Sequence, residues 1–463
     1  MEAEILLDLT DNNYNCEPIV SDLNDKHSQT LLEIANLNLK KDCSLLLFPQ
    51  SFEDTELYKK NEQNSSIISL LPSAPNEYKI QTNNTMGFIG KNDFHIRIHS
   101  RFDYDITNKD IKGNGDYFLY YMLSKVMNLN VFNLDTQSNN RDNILDFYMM
   151  LFPQALKEAI QQGLYKEYRS FNYNDDRIKG CIDVNRFIQK DIPFQGKVSY
   201  HTREYSHDNH LLQLIRHTIE YMRTHSLGHQ LLNNDFDTRS AVLQIINSTA
   251  SYSQRDRLHI IQRNQRRIVN HPYYTKYRLL QKICLNILTH KELRYGNEDD
   301  NIHGILFDGA WLWEEYLNTL LKDEGFKHPE NKKGHGGIAL FETGPKHTIF
   351  PDFYKEGIVV ADAKYKRYAK DMDGNKREVA RDDLYQIITY LHRLKVHKGL
   401  FICPCTSNEA FTTPYKIVDT NDAIHVIGLN IPQPSDEIDF CDFCSKMKRN
   451  EDDFLNKNKE LFQ

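Results

Sequence analysis

The stretch IFPDFYKEGIVVADAKYKR, residues 349–367, constrains this chain more than any other segment. Two runs of β-forming residues flank Lys355-Glu356-Gly357, a spacing that suits a three-residue hairpin loop with Gly357 in the left-handed conformation. In that register Tyr354 faces Ile358 and Asp352 faces Val360. Side chains alternate across a strand, so Asp352, Asp362 and Lys364 project from one face. Asp352 and Asp362 become diagonal neighbours, roughly 7–8 Å apart at Cα. A two-residue turn would slip the register and send Asp352 to the opposite face. A solvated hairpin of alternating charge is the competing reading. It fits poorly, because the apolar run before Asp362 leads straight into the acid.

Two carboxylates converging from that distance can share one hard cation. Mg²⁺ keeps several waters and takes one or two carboxylates plus phosphate oxygens. A bound ion of this kind makes a nucleophile of water and neutralises charge in phosphodiester hydrolysis. A lysine two residues after the second acid can hold that water or stabilise phosphorane charge. Two helices flank the hairpin in the sequence. Asp308 is a candidate cap for a helix from Gly309 with Trp311, Leu312, Trp313, Tyr316, Leu317, Leu320 and Leu321 as its apolar stripe. Glu314 lies about 110° from the stripe centre and Glu315 about 150°, so Glu314 is the better placed to reach a site beside a sheet. Downstream, Arg381 to Lys395 reads as a helix with Asp382 or Asp383 at its N-cap. Gln386 and Tyr390 share one face of it.

The rest of the chain sets the frame. With 463 residues, two or three domains are expected. The net charge of −7 excludes a histone-like binder but not a nucleic-acid enzyme, which needs only a local basic surface. The 11% aromatic content provides for packed cores, and only 8 Cys excludes a disulfide framework. No apolar run is long enough to span a bilayer, and the acidic N-terminus does not resemble a secretory signal; a reducing cytoplasm is the expected setting. The expected fold class is mixed α/β (α+β). A β-rich N-terminal domain spans 1–150, a mostly helical middle region 151–295, and a C-terminal domain 296–463. Phe94–His99 reads as a strand, Gly87 and Gly90 as turn signals before it, and Asp116 as a helix cap. Phe132 to Asn143 reads as a polar break, Pro153 as a helix start closed by Gly163, and Asp208-Asn209 as the cap of a helix buried along Leu211, Leu212, Ile215, Ile219 and Met222.

The order helical Glu314, Pro351-Asp352, Asp362-Ala363-Lys364, then Gln386 to Tyr390 resembles a PD-(D/E)xK nuclease core of the subgroup with a downstream QxxxY helix. WLWEEYL and PDF…VVADAKYK narrow this to a resemblance to the McrC family, the nuclease subunits of restriction systems that attack DNA with modified cytosine. ALKEAIQQGLYKEYRSF…IKGCIDVNRFI and REYSHDNHLLQLIRHTI also resemble its middle region. The resemblance covers about residues 150 to 430. It implies a restriction-endonuclease-like C-terminal domain. It further implies that Asp352, Asp362 and Glu314 bind Mg²⁺, with Mn²⁺ able to substitute, that Lys364 assists the attacking water, and that Gln386 and Tyr390 support the site. It also implies docking, through the N-terminal part, into a hexameric ring of McrB-like AAA+ GTPase subunits whose GTP hydrolysis is stimulated.

Lys366, Arg367 and Lys370, interleaved with Tyr365 and Tyr368, are candidates to track DNA phosphates, or else form a solvated loop. Cys403-Pro404-Cys405 and Cys441-x-x-Cys444 leave structural zinc open against free thiols. No G-x-x-x-x-G-K-[ST] occurs, so no P-loop is expected here. A non-catalytic activator of a AAA+ motor and a differently partnered nuclease of the same superfamily stand as alternatives.

Overall fold

The computed structural model describes residues 5–13, 25–36, 45–49, 67–74, 77–91, 94–103, 116–127, 143–293, 303–329, 336–344, 347–366, 379–405, 414–432 and 440–463. The chain forms two compact units. One joins Met1–Asn140 with Glu298–Gln463, and the other is Arg141–Asn297. Strands and helices alternate along the chain, in agreement with the expected mixed α/β class.

The first unit holds two five-stranded sheets. In one, the strands run in the order Ile5–Thr10, Phe94–His99, Thr85–Lys91, His303–Asp308 and Leu45–Phe48. Phe94, Ile96 and Ile98 of the expected strand are buried together with Leu31 and Ile34 of the Asp25–Ala35 helix. His303–Asp308 lies antiparallel to Thr85–Lys91 and parallel to Leu45–Phe48. The regions read as separate domains, 1–150 and 296–463, therefore share a sheet. The physical reason is the Ile305-Leu306-Phe307 run, fully buried between strands from the other end of the sequence.

Gly87 and Gly90 lie inside a strand rather than in a turn. Gly87 has φ +129°, and a Cβ there would strike the Ile305 carbonyl, so the residue admits the neighbouring strand. The helix expected after Asp116 runs Tyr117–Val126. The Asp116 carboxylate does not cap it, however; it is engaged by Arg97 and His99.

The second sheet has the order Phe353–Lys355, Val359–Ala363, Lys398–Cys405, Ala423–Asn430 and Tyr415–Lys416. Its three central strands are parallel and its two edges antiparallel. Leu400, Phe401, Ile402 and Cys403 are all solvent-inaccessible, as a strand covered on both faces requires. The Arg381–Leu394 helix packs Ile387, Tyr390 and Leu391 into one core with Val360, Phe401 and Cys403. The Gly309–Leu321 helix is capped by Asp308, whose carboxylate accepts from the Ala310 and Trp311 amides at 2.9 and 3.2 Å. It buries Leu312, Trp313, Tyr316, Leu317 and Leu321, and Trp313 Nε1 donates to the Ile402 carbonyl at 3.2 Å.

The second unit combines helices with a three-stranded antiparallel sheet of order Glu167–Asp175, Val198–Ser206, Cys181–Ile182. Asn209 caps His210–Met222 by accepting from the Leu211 and Leu212 amides, and the predicted apolar face is buried. Pro153 does not start a helix but lies inside Asn143–Gln161. Burial of Phe147, Tyr148 and Phe152 outweighs the one hydrogen bond that proline removes. Gly163 follows that helix with φ +94°. The break expected at 132–143 lies, up to residue 142, outside the described residues. No described helix is long and apolar enough to cross a membrane.

Candidate active site

The hairpin that carries the two acids pairs Phe353 with Ala361, Tyr354 with Val360 and Lys355 with Val359. The loop is Glu356-Gly357-Ile358, one residue later than expected, and Ile358 N–H donates to the Lys355 carbonyl at 3.0 Å. Gly357 takes φ +70°, the left-handed conformation anticipated for it. The expected pairs, Tyr354 with Ile358 and Asp352 with Val360, are thus displaced by one pair. That shift conserves parity, so Asp352 keeps the face of Asp362. Continuing the register sets position 352 opposite 362 rather than diagonal to it. The Asp352 carboxylate then accepts the Ala363 amide N–H at 2.7 Å.

Asp362 is buried, at 1% exposure. Lys364 Nζ lies 2.7 Å from Asp362 Oδ2 and 3.1 Å from Asp383 Oδ1, and donates to Gln386 Oε1 at 3.4 Å. Gln386 Nε2 donates to the Tyr390 hydroxyl at 2.8 Å, and that hydroxyl donates to the Phe350 carbonyl at 3.2 Å. The i, i+4 pair read from the sequence is therefore a hydrogen-bonded couple that reaches the lysine on one side and the entry to the hairpin on the other. Glu314 stands beside this group: its charge acts on Asp352, and its Oε1 lies 3.8 Å from His328 Nε2. The resemblance-based set of six residues falls at one end of one sheet.

Desolvation raises the Asp352 carboxyl well above the ordinary carboxylate range, and the charges of Asp362 and Glu314 push it further. Asp362 is raised by burial as well, against the opposing pull of Lys364. Burial alone would lower the Lys364 ammonium, but Asp362, Asp383 and Asp352 more than reverse this and hold it above the usual lysine value. Three carboxylates, Asp352, Asp362 and Asp383, act on this one ammonium, with Glu314 adding its charge at Asp352. Such a group is short of positive charge, the condition a divalent cation relieves.

Among the described residues no three His, Cys, Asp or Glu side chains form a ready metal cage. Mg²⁺ does not need one, since two carboxylates, waters and phosphate oxygens complete its octahedron. The donor set of Asp352 and Asp362 fits that cation. Cys403, Cys405 and Cys444 are buried thiols and Cys441 an exposed one, with no zinc cage around them among the described residues.

Lys366 sits at the rim with its side chain half exposed, and its Nζ lies 2.9 Å from Asp383 Oδ2. Arg367, Lys370 and Tyr368 lie outside the described residues. Tyr365 is no phosphate-tracking aromatic, because it is 3% exposed. Two residues of the site were not found from the sequence. Asp383 was read only as a helix cap. The cap position is Ala380, and Asp383, in the first turn, grips both Lys364 and Lys366. Its spacing of three from Gln386 puts it on the same helix face, a signal that was there to use. His328 carried no sequence signal. Its Nδ1–H donates to the Asp352 carbonyl at 2.7 Å and its ring stacks on Phe353.

Residues 80–404 match the McrBC family, described as McrBC 5-methylcytosine restriction system component. Among solved structures, the chain is similar to one in the refined half-complex from a tetradecameric assembly of Thermococcus gammatolerans McrB AAA+ hexamers with bound McrC. That match has 14% identity over 96% of this chain and 100% of the other, with a TM-score of 0.48. A second is the cryo-EM structure of the Thermococcus gammatolerans McrBC complex, with 12% identity over 71% of this chain and 90% of the other and a TM-score of 0.34. No curated protein matches the chain. Because the family match spans well over half of the sequence, this chain belongs to the McrBC family of restriction system components.

Proposed function

We propose that this chain is the Mg²⁺-dependent DNA endonuclease subunit of a modified-cytosine restriction system, activated by a AAA+ GTPase ring whose hydrolysis it stimulates. The observation that carries the reading is the convergence of Asp352, Asp362 and Lys364 on one face of a buried hairpin. A purely structural hairpin has no use for two desolvated carboxylates, which cost several kcal/mol to bury without compensation. For the same reason a non-catalytic activator is the poorer reading.

Asp352 and Asp362, with Glu314 beside them, would hold the ion, and Mn²⁺ suits the same oxygen donors. When bound, Mg²⁺ supplies a water of lowered pKa and a counter-charge on the phosphate. The residues do the rest. Lys364, kept charged by its carboxylate neighbours, acts as a donor to the developing phosphorane oxygens rather than as a base. Asp383 and Gln386 limit where its ammonium can go. Tyr390 ties that helix to the Phe350 carbonyl, two residues before Asp352. Lys366, with Arg367 and Lys370, would meet the DNA backbone at the rim.

The partner reading rests on family membership and the sequence resemblance, and a cytoplasmic setting belongs to the same reading. The test is co-purification with a McrB-like GTPase, followed by cleavage of methylated and unmethylated DNA with Mg²⁺ and GTP. Cleavage confined to the methylated DNA supports the reading. A complex that hydrolyses GTP but never cuts DNA refutes it.

A further inference from the structure

Tyr365 lies two residues beyond the end of the Val359–Ala363 strand, next to Lys364, and its side chain is buried. Its hydroxyl lies 2.8 Å from Ser100 Oγ and 3.3 Å from Met86 Sδ. Its ring meets Phe102 edge-on at 5.1 Å and lies 4.8 Å below the Arg101 guanidinium. That guanidinium is fixed in turn: Nη2 donates to Asp11 Oδ2 at 2.6 Å and Nε to the same oxygen at 3.0 Å. On another side of the ring, a Cβ at Gly309 would stand 2.8 Å from Tyr365 Cε1. The phenol thus fills the space a side chain would need at the first residue of the helix that carries Glu314. One buried ring touches the strand of Asp362 and Lys364, the start of the Glu314 helix, and the Ser100–Phe102 turn that ends the Phe94–His99 strand.

We propose that Tyr365 is a positioning residue of the nuclease site. Its hydroxyl contact with Ser100 holds the ring in place against Gly309. The ring so fixes the end of the Val359–Ala363 strand, with Asp362 and Lys364, relative to the start of the Glu314 helix and sets the spacing of the groups that act on the phosphate. The proposal rests on the nuclease reading. Tyr365 touches no reacting atom and acts through the strand alone. For packing alone a phenylalanine would suffice. The hydroxyl and its partner from a distant part of the chain add direction, which packing does not supply. Because the anchor lies in the turn that follows the Phe94–His99 strand, the site depends on residues more than 250 positions upstream.

The experiment uses the full chain with its GTPase partner and compares Tyr365→Phe, Ser100→Ala, the double variant and Lys364→Ala. Tyr365→Phe keeps the ring and removes only the hydroxyl. Each single variant is expected to lower kcat about tenfold, within the roughly hundredfold that a 1 Å misplacement can cost, while KM for DNA and GTPase stimulation stay put. The double variant is expected to lose clearly less than the sum of the two singles, because the contact between them is shared. Ser100 Oγ also accepts the Phe102 amide at 3.1 Å, so its variant can lose somewhat more than Tyr365→Phe. Calorimetry on the full chain is expected to show weaker Mn²⁺ binding in Tyr365→Phe. Unchanged kcat, additive losses in the double variant, or equal losses of cleavage and GTPase stimulation would overturn the proposal. Wild-type cleavage by Lys364→Ala would instead refute the nuclease reading. In that event unchanged Mn²⁺ affinity in Tyr365→Phe overturns the positioning role, and weakened affinity sustains it for the ion site.

Discussion

The Asp352 carboxylate accepts the Ala363 amide N–H at 2.7 Å, reaching across the hairpin to the residue after Asp362. That bond occupies one oxygen and aims the carboxylate along the face of Asp362. It favours the charged form of Asp352, but burial and the charges of Asp362 and Glu314 outweigh it and keep the carboxyl high, while burial raises Asp362 against the pull of Lys364.

An asparagine at 352 keeps an acceptor for the Ala363 amide but removes the charge. Asp352→Asn is expected to fold with little change in Tm, to bind Mg²⁺ at least tenfold more weakly in calorimetry, and to cut DNA about 10²-fold or more slowly. Wild-type ion affinity in a folded variant would show that Asp352 is no ligand.

Asp383 holds Lys364 at 3.1 Å and Lys366 at 2.9 Å, and those cations keep its own carboxyl low despite partial burial. Asp383→Asn leaves the proposed ion ligands intact. Single-turnover cleavage is expected to fall roughly 10- to 100-fold with ion affinity nearly unchanged, and Asp383→Glu to recover part of the loss. Equal losses in cleavage and ion affinity would place Asp383 among the ligands instead.

A second buried cluster makes the fold sensitive to pH. His99 Nδ1 lies 2.6 Å from Asp116 Oδ1 and Nε2 lies 2.9 Å from Asp8, while Arg97 Nη2 lies 2.8 Å from Asp116. Burial alone would lower His99, but Asp116 more than reverses it and pushes it up to about 9. Burial opposes the charge on Asp116, yet His99 and Arg97 hold it down at about 2. The raised His99 stabilises fully below its ordinary 6.5, and that contribution is lost as pH climbs through 9. The lowered Asp116 stabilises above 3.8 and fails as pH drops through 2. Their joint contribution is therefore complete only between about pH 4 and 6.5. Buried Asp103, raised by desolvation and by Asp116, also erodes stability as pH rises above 3.8, so the variant comparison is what isolates the histidine. Tm is expected to fall between pH 6.5 and 9 in the wild type, and less steeply in His99→Gln. Parallel curves would contradict this.

The hairpin was legible because three signals agreed: β-forming runs, a glycine able to take a positive φ, and an apolar run ending on an acid. The loop was read one residue early, since Gly357 suits the left-handed position in either frame and only the pairing of Tyr354 with Val360 decides between them. The Asp308 and Asn209 caps followed from local chemistry and formed as read. Asp116 did not cap its helix because distant Arg97 and His99 compete for its carboxylate, and no window of sequence contains that competition. The shared sheet was hidden for the same reason, as Ile305-Leu306-Phe307 carries no mark of its partners at 45–48 and 85–91. Among the site residues, Asp352, Asp362, Lys364, Gln386 and Tyr390 were readable from spacing and resemblance, whereas His328 enters only through tertiary packing.

Gly87 tests the shared sheet. Gly87→Ala would force a Cβ into the Ile305 carbonyl and strain a φ of +129°. A loss of more than about 1 kcal/mol is expected from the backbone conformation alone, seen as a clear fall in the urea midpoint. A neutral substitution would mean that the His303–Asp308 strand does not pair there in solution.

The most direct test of the whole account is cleavage of methylated DNA, with Mg²⁺ and GTP, by the complex assembled from Lys364→Ala chains. The account predicts that GTP hydrolysis by the partner persists while DNA cutting falls about 10²- to 10³-fold. Cutting at the wild-type rate by that folded, assembled variant would contradict it.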